Sequence, residues 1–344
     1  MIDQRPNVIF LSADALRADR MSLYGYTRPT TPRLDELVED AIVCRHNSSL
    51  AGFTQASVPS IFCSSRPLSH GGYDRGAHGR PATLFDVMGG AGYEVISLTT
   101  FKWVTKYYGY GAGLARESHL YSPKALMGAA VNRCASSILA YQSGSISSGE
   151  MLALVTPVFE ELFSQLIDFS EERIRNYDCD FEDFRNTSLI QDGFDFHLVR
   201  QVTESHQQAF REDPIGYVDK HFKTLPAAHQ WIAADWRFAR TKTKLFGEAI
   251  FRISNQLIKC FAPRFAVLRA NRFKQFIDGH AIANRVIRTI KEYDCERPFM
   301  IWTHFFDTHV PYLPGRCPDW YKEAPNYLEV LGYPRDLDLS VLPY

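Results

Sequence analysis

The feature that most constrains the fold is a short apolar run near the N-terminus, VIFL at positions 8–11. The run is unbroken and rich in strand-forming residues, which predicts a strand buried on both faces, as in a parallel sheet, rather than a half-wet alternating strand. Asp14 follows directly after it. Because ligands of open α/β sheets gather beyond the carboxyl ends of the strands, Asp14 is the first candidate site residue.

Strand and helix signals then alternate along the chain. Thr31 and Pro32 form a helix start, and a second helix begins at Thr83 and ends at the glycines of positions 89–92. The segment 93–98 predicts the next strand. An amphipathic helix over 281–290 leads into another buried strand at 299–302. This alternation predicts an α/β fold with a mainly parallel central sheet.

The middle of the chain has a different character. The composition SGSISSG at positions 143–149 predicts a flexible linker. After it, apolar residues recur at helical spacing, and 151–275 shows no strand pattern. We therefore predict an α/β core formed by 1–120 and 278–344, with a mostly helical insertion or cap over 121–277. The apolar positions are Leu152, Val155, Phe159, Leu162, Phe163 and Leu166.

Composition narrows the classes of partner and compartment. The formal net charge of the 344-residue chain is −1, so no basic field attracts nucleic acid. No apolar stretch approaches the roughly 18 residues of a membrane span, and the N-terminus lacks the regions of a secretion signal. Seven scattered cysteines form no CxxC pair. These features predict a cytoplasmic protein without a disulfide framework or a zinc knuckle.

Two carboxylates occupy the predicted carboxyl edge of the sheet. Asp14 follows the first strand, and Asp307 follows the strand that begins at Phe299. Acidic side chains at such positions are suitable ligands for a hard cation. They are equally suited to capping a helix or forming a surface ion pair, so the strand pattern alone leaves both readings open.

Longer strings extend the pattern and carry a family resemblance. The chain has PNVIFLSADALRADR at 6–20, LYGY at 23–26, TPRLD at 31–35 and PFMIWTHFFDTHVPYLP at 298–314. Over about 6–115 and 278–315 it resembles the sulfatase family of the alkaline phosphatase superfamily. The resemblance implies an alkaline-phosphatase-like α/β sandwich and a site with divalent cations (Ca²⁺, Mg²⁺, Mn²⁺ or Zn²⁺), with Asp14 and Asp307 as metal ligands. Many members have a second Asp after the first, where this chain has Ala15.

The same resemblance identifies a nucleophile by counting. In the family, the nucleophile opens a segment Cys/Ser/Thr-x-Pro-Ser-x-x-Ser, and a Pro-x-x-His-Gly motif follows it. In this chain the second motif is PLSHG, which ends at Gly71. Ungapped counting places Thr54 at the nucleophile, whereas a rival register uses Ser57 with Pro59 and needs a deletion. Thr54 cannot become the formylglycine of true sulfatases, and Val58 replaces the Arg of their motif, so we expect no formylglycine. A metal ion could activate the hydroxyl directly, and Thr54 could also be a helix N-cap.

The resemblance also suggests residues that bind a small anionic ester. His309 would steady the anionic oxygens or donate a proton to the leaving group. Ser57 and Lys102 complete the predicted substrate-binding set. His304 is interpreted as a core or supporting residue on the strand face opposite to His309.

The later Asp-His-Gly ligand segment of the family has no counterpart in 315–344. A hard cation needs about six oxygens, so the site requires either a missing C-terminal segment or a partner chain. The function predicted is a metal-dependent hydrolase of sulfate or phosphate esters. The alternative is a catalytically impaired or truncated protein of the sulfatase fold that binds an anionic ligand or a partner protein.

Overall fold

The computed structural model describes residues 5–70, 72, 76–184, 195–226, 231–236, 250, 253, 277–294 and 296–309, with only the backbone given for 181–184. Within these residues, four parallel strands form one sheet in the order β1-β4-β2-β3. The strands are β1 (Val8–Ala13), β2 (Glu94–Thr99), β3 (Arg116–His119) and β4 (Phe299–Phe305). The predicted α/β class with a parallel sheet is confirmed.

The helices follow the alternation that the sequence predicts. They are α1 (Pro32–Leu37), α2 (Thr54–Cys63), α3 (Leu84–Gly90), α4 (Lys124–Gln142), α5 (Ser148–Arg175), α6 (Tyr177–Phe184), α7 (Phe196–Glu212), α8 (Pro214–His221), α9 (Ile232–Asp235) and α10 (Gly279–Lys291). Short 3₁₀ turns lie at Ala18–Arg20, Ser22–Tyr24, Val38–Asp40 and Lys106–Tyr108.

Helices cover both faces of the central strand β4. On one face Trp302 packs with Phe62 of α2 and Phe85 of α3. On the other face Ile301 packs with Ile282 of α10. Both faces of β4 are therefore dry, which explains the unbroken apolar sequence of this strand.

Strand β1 differs from the prediction. Its burial alternates, with Ile9 and Leu11 about half exposed and Val8 and Phe10 partly buried. In the described part of the chain β1 lies at the edge of the sheet, next to β4, and only one of its faces packs against helices. An apolar run thus predicted the strand correctly but not its exposure, because exposure depends on which elements cover it.

The predicted flexible linker at 143–149 is also corrected. It is a tight connection between α4 and α5, in which Gly144 takes a positive φ of 72°. The side chain of Ser147 then accepts a hydrogen bond from the Glu150 N–H, and Glu150 accepts from the Ser147 N–H. This capping box fixes the start of α5. Small and polar residues here form a turn and a cap rather than a flexible spacer.

The helical middle has its own aromatic core. Phe159 of α5 packs against Phe210, Phe222 and Trp231, all of them buried. The helical character predicted for this region is found in its described part, and the division of the chain into domains stays a prediction. Among the described residues, none of the helices is long and apolar enough to cross a bilayer. The cytoplasmic location likewise stays a prediction.

Candidate active site

The candidate site begins at the carboxyl ends of β1 and β4, where Asp14 is held by its backbone. The Asp14 N–H donates to the Phe305 carbonyl at 2.8 Å, and Thr308 Oγ1 donates to the Asp14 carbonyl at 2.5 Å. The next residue, Ala15, has a φ of 55°, a conformation that costs a residue with a Cβ roughly 1–2 kcal/mol. The strain is confined to the turn that presents Asp14.

Thr54 comes to Asp14 from a different element. It is the first residue of α2, and the N-cap is Phe53, so the prediction of an N-cap role for Thr54 is wrong. Instead its Oγ1 donates a 2.7 Å hydrogen bond to Asp14 Oδ2. The two residues that the sequence singled out as metal ligand and nucleophile are thus in direct contact. This contact is the central geometric feature of the site.

His304, interpreted from the sequence as a core or supporting residue, is buried and contacts Asp14 directly. Its Nε2 lies 3.3 Å from Asp14 Oδ2, and its Nδ1 lies 2.8 Å from Ser12 Oγ. In the register of the sheet Ser12 is paired with His304. The pairing of β1 with β4 is the signal that would have found it, because parallel partners at one level point to the same face.

The charge state of Asp14 follows from these contacts. Burial alone would raise the pKa of the carboxyl group, since a desolvated carboxylate is costly. Hydrogen bonds from His304 and Thr54, together with the positive potential of His304 and His309, outweigh burial and lower the pKa of Asp14 below its usual value of 3.8. Asp14 is therefore an anion at neutral pH. Its carboxylate can accept hydrogen bonds or bind a cation.

His309 lies in the turn after β4, where its N–H donates to the Phe306 carbonyl at 3.0 Å. Because β4 ends at Phe305, the expectation that one strand places His304 and His309 on opposite faces is wrong. The charge of His309 is one of the influences that lower the pKa of Asp14. Asp14 and Thr54 are in direct contact, and the catalytic role of His309 beside them stays a prediction.

The remaining predicted residues make other contacts. Ser57 Oγ donates to the Phe53 carbonyl at 2.6 Å within the first turn of α2. Asp307 Oδ1 accepts a 3.1 Å hydrogen bond from the N–H of Gly279, the first residue of α10. Asp307 therefore binds an N–H group at the N-terminus of α10, a helix whose N-cap is Asp278. Its role as a metal ligand and that of Ser57 in substrate binding stay predictions.

Lys102 lies beyond the end of β2 on the same edge of the sheet. Its Nζ donates to the Ala125 carbonyl at 2.8 Å and lies 5.1 Å from the Trp103 ring centre. Burial lowers the pKa of the ammonium group to about 8. A lysine desolvated in this way gains from an anionic ligand, which is consistent with the substrate-binding role predicted for it.

The described part of the chain contains only some of the ligands that a metal site needs. Asp14 and Thr54 offer a carboxylate and a hydroxyl oxygen, which are suitable ligands for a hard cation. No group of three or more His, Cys, Asp or Glu side chains that could hold a metal ion occurs among the described residues. Residues 310–344 lie outside the described residues.

Comparison with known proteins now bears on this arrangement. The family model for sulfatases matches residues 6–124, a segment that contains Asp14, Thr54 and Lys102. Over this segment the chain is similar to the N-terminal part of the sulfatase family. The similarity agrees with the parallel α/β sheet of the structure.

The curated relatives are distant and much longer than this chain. The putative transferase YhbX of Escherichia coli K12 is 29% identical over 92 residues, which are 27% of this chain and 16% of the relative. Arylsulfatase H of Canis lupus familiaris is 26% identical over 132 residues, covering 35% of this chain and 23% of the relative. The chain thus matches less than a quarter of either protein. No solved structure matches it significantly.

Proposed function

We propose that this chain is a metal-dependent hydrolase of sulfate or phosphate esters in which Thr54 is the nucleophile. The observation that carries the proposal is the 2.7 Å hydrogen bond from Thr54 Oγ1 to Asp14 Oδ2. Thr54 belongs to α2 and Asp14 follows β1, so the contact is made by tertiary structure and not by local sequence. A hydroxyl that donates to an ionised carboxylate is the usual arrangement of an activated nucleophile.

The groups around Thr54 suit the transfer of an anionic group. Thr54 lies at the first position of a ten-residue helix, whose N-terminal N–H groups carry partial positive charge. The ester's anionic oxygens would face this end of α2. Lys102, on the same edge of the sheet, would balance part of their charge. His309 would donate a proton to the leaving oxygen.

The proposed reaction has two steps. Thr54 Oγ attacks the sulfur or phosphorus in line, the Thr54 proton passes to Asp14, and the bond to the leaving oxygen breaks as His309 protonates that oxygen. Water then attacks the covalent Thr54 ester, loses a proton to His309 and releases sulfate or phosphate, while Asp14 returns its proton to Thr54. A divalent cation, when bound at Asp14, would supply Lewis-acid activation of the hydroxyl. Its other ligands would come from residues beyond those described or from another chain.

A threonine nucleophile favours phosphate over sulfate esters as the substrate. Sulfatases that use formylglycine need a Cys or Ser precursor, which position 54 does not offer. The name of YhbX describes a putative transferase, which fits a covalent Thr54 ester that another acceptor could take in place of water. Phosphodiesters are therefore the first substrates to test.

The experiment is a hydrolysis assay of the full chain after removal of metal with a chelator. 4-Nitrophenyl sulfate, 4-nitrophenyl phosphate and bis(4-nitrophenyl) phosphate are each offered with Ca²⁺, Mg²⁺, Mn²⁺ or Zn²⁺. We expect cation-dependent turnover that Thr54→Ala abolishes and Thr54→Ser partly keeps. Ser205→Ala, which removes an exposed hydroxyl of α7, should leave turnover unchanged. Turnover that survives Thr54→Ala would refute the proposal.

The second candidate is a protein that binds an anionic ligand without turnover. Ala15, at the position where many sulfatases have a second Asp, removes one oxygen ligand from the site. In this case the chain would bind phosphate or sulfate, and Lys102→Met would weaken that binding. None of the esters would be hydrolysed with any of the four cations. Isothermal titration with inorganic phosphate distinguishes this outcome from an inert protein.

A further inference from the structure

The strongest unexplained group near the site is the buried imidazole of His304, which is 5% exposed. Both ring nitrogens have a partner, since Nδ1 contacts Ser12 Oγ and Nε2 faces Asp14 Oδ2. The backbone carbonyl of His304 accepts a hydrogen bond from Thr100 Oγ1. Its ring also packs edge-on against Phe306, with the ring centres 4.7 Å apart. A side chain fixed so completely is suited to orienting another group.

The direction of its hydrogen bonds follows from chemistry. Asp14 is ionised, and a carboxylate only accepts hydrogen bonds, so His304 Nε2 must carry the proton at the 3.3 Å contact. The other tautomer would bring a bare nitrogen to face a negative oxygen. Nε2 carries a proton in the cation as well, so this conclusion holds for either charge state.

A second line of contacts fixes the other ring nitrogen. The indole nitrogen of Trp302 can only donate, and it donates to Ser12 Oγ at 3.3 Å. Ser12 Oγ then has its own proton for either His304 Nδ1 at 2.8 Å or the Thr303 carbonyl at 3.3 Å. The shorter contact is to Nδ1. Trp302 and Ser12 thus hold the plane of the imidazole in line with Asp14.

We propose that His304 is a positioning residue that holds Asp14 Oδ2 in the orientation in which it accepts from Thr54. This inference rests on the function proposed above. Both hydrogen bonds to the carboxylate, from His304 and from Thr54, end on Oδ2. Asp14 Oδ1 is then the oxygen available to a ligand of the site. His304 touches neither the substrate nor the attacking oxygen and acts only through Asp14.

The kinetic test uses variants of different donor ability. His304→Gln keeps an N–H donor near the place of Nε2, whereas His304→Met fills the space without one. We expect His304→Met to lower kcat roughly 10–100-fold with little change in KM, and His304→Gln to recover most of that loss. His206→Gln, a matched change of a buried histidine in α7, should leave kcat unchanged. Equal losses in His304→Met and His304→Gln would overturn the proposal.

A spectroscopic test does not depend on turnover. In a ¹⁵N-labelled histidine spectrum the His304 signals are assigned among the 11 histidines by their disappearance in His304→Gln. We expect Nε2 to be protonated and its resonance to shift in Asp14→Asn. An unprotonated Nε2, or a resonance whose chemical shift is unchanged in Asp14→Asn, would overturn the positioning role. If hydrolysis is absent in the wild type while the spectrum is as expected, the proposed function fails and the contact itself stands.

Discussion

Two polar clusters lie at the carboxyl edge of the same sheet, and they differ in how their charges are balanced. At the end of β1, Asp14 contacts Thr54 and His304, and the charge of His309 acts on it. At the end of β3, His119 begins a chain of buried ions that runs into the helices. The first cluster gathers its hydrogen bonds on one carboxylate, whereas the second alternates acids and bases.

The cluster at β3 is closed on itself. His119 lies 3.2 Å from Glu117 and 2.8 Å from Glu172. Glu172 also pairs with Arg173, which in turn lies 3.0 Å from Asp180, and Arg285 of α10 lies 2.6 Å from the same carboxylate. Three acids and three bases therefore alternate, linking β3 to α5, α6 and α10. Such a chain balances its own charges, and removing one member is costly because its partner is left as an uncompensated buried charge.

The contrast shows which features distinguish a buried charge with a functional role from one with a structural role. Burial and a shifted pKa are common to both clusters, so neither is diagnostic alone. What sets Asp14 apart is a nucleophilic hydroxyl on its Oδ2, a strained neighbour in Ala15 and a position within the sulfatase match. We expect the two clusters to respond differently to mutation, in activity at β1 and in stability at β3.

The largest expected effect is on catalysis at Thr54. Thr54→Ala should lower kcat/KM on the order of 10⁴-fold, or about 5 kcal/mol of transition-state stabilisation. Urea unfolding of the variant should differ from wild type by less than about 1 kcal/mol, because the side chain is small and only partly buried. Parallel loss of activity and stability would assign Thr54 a structural role instead.

The next effect concerns Glu172, the hub of the second cluster. Glu172→Gln should lower the free energy of unfolding by about 3–5 kcal/mol, because it leaves the neighbouring buried cations short of one negative charge. Glu171→Gln is the matched control, since Glu171 is its neighbour on α5 and its ion pair with Arg200 is exposed. We expect that control to change stability by less than about 0.5 kcal/mol. Similar effects in both variants would contradict the structural role of the ion chain.

A smaller effect is the pH dependence carried by His119. Burial alone would lower the pKa of this imidazole, but the hydrogen bonds that its ring donates to Glu117 and Glu172, together with the negative charges of both, outweigh burial and raise the pKa to about 9. Since the folded pKa exceeds the ordinary 6.5, the stabilisation is fully present below pH 6.5 and is lost as the pH rises through about 9. The loss should be on the order of 3 kcal/mol. Denaturation in urea across this range measures it, and His119→Gln should flatten the profile.

The smallest expected effect is on stability at Asp14. Asp14→Asn keeps the shape of the side chain and removes its negative charge. We expect the free energy of unfolding to change by less than about 1 kcal/mol, while cation-dependent hydrolysis is lost. A loss of more than about 3 kcal/mol in urea unfolding would mean that Asp14, like Glu172, serves the fold.

The sequence predicted the strands and helices that carry the site, because β-rich runs, caps and glycine stops are local signals. Ser147 and Glu150 mark the start of α5 as the capping rules expect, although the same small polar residues suggested a linker. The exposure of Ile9 and the arrival of His304 beside Asp14 were not predictable. Both depend on the order of strands, which pairs residues almost 300 positions apart.

The site itself was predicted in part. Asp14, Thr54 and His309 were chosen by a resemblance in spacing, and the structure brings Thr54 and Asp14 into direct contact, whereas the role of His309 stays a prediction. Asp307 was chosen on the same strand logic as Asp14, yet its carboxylate contacts the N-terminus of α10. The two acids have equivalent positions in the sequence, and only the packing of α10 against β4 separates their contacts.

Trapping the covalent intermediate tests the central claim most directly. The full chain is mixed with bis(4-nitrophenyl) phosphate and a divalent cation, quenched in acid within the first turnover, and digested for mass spectrometry. We predict a phosphoryl ester on Thr54, located by fragmentation of its peptide and absent from Thr54→Ala. Turnover with an unmodified Thr54, or a phosphoryl group found on Ser57 or another residue, would contradict the account.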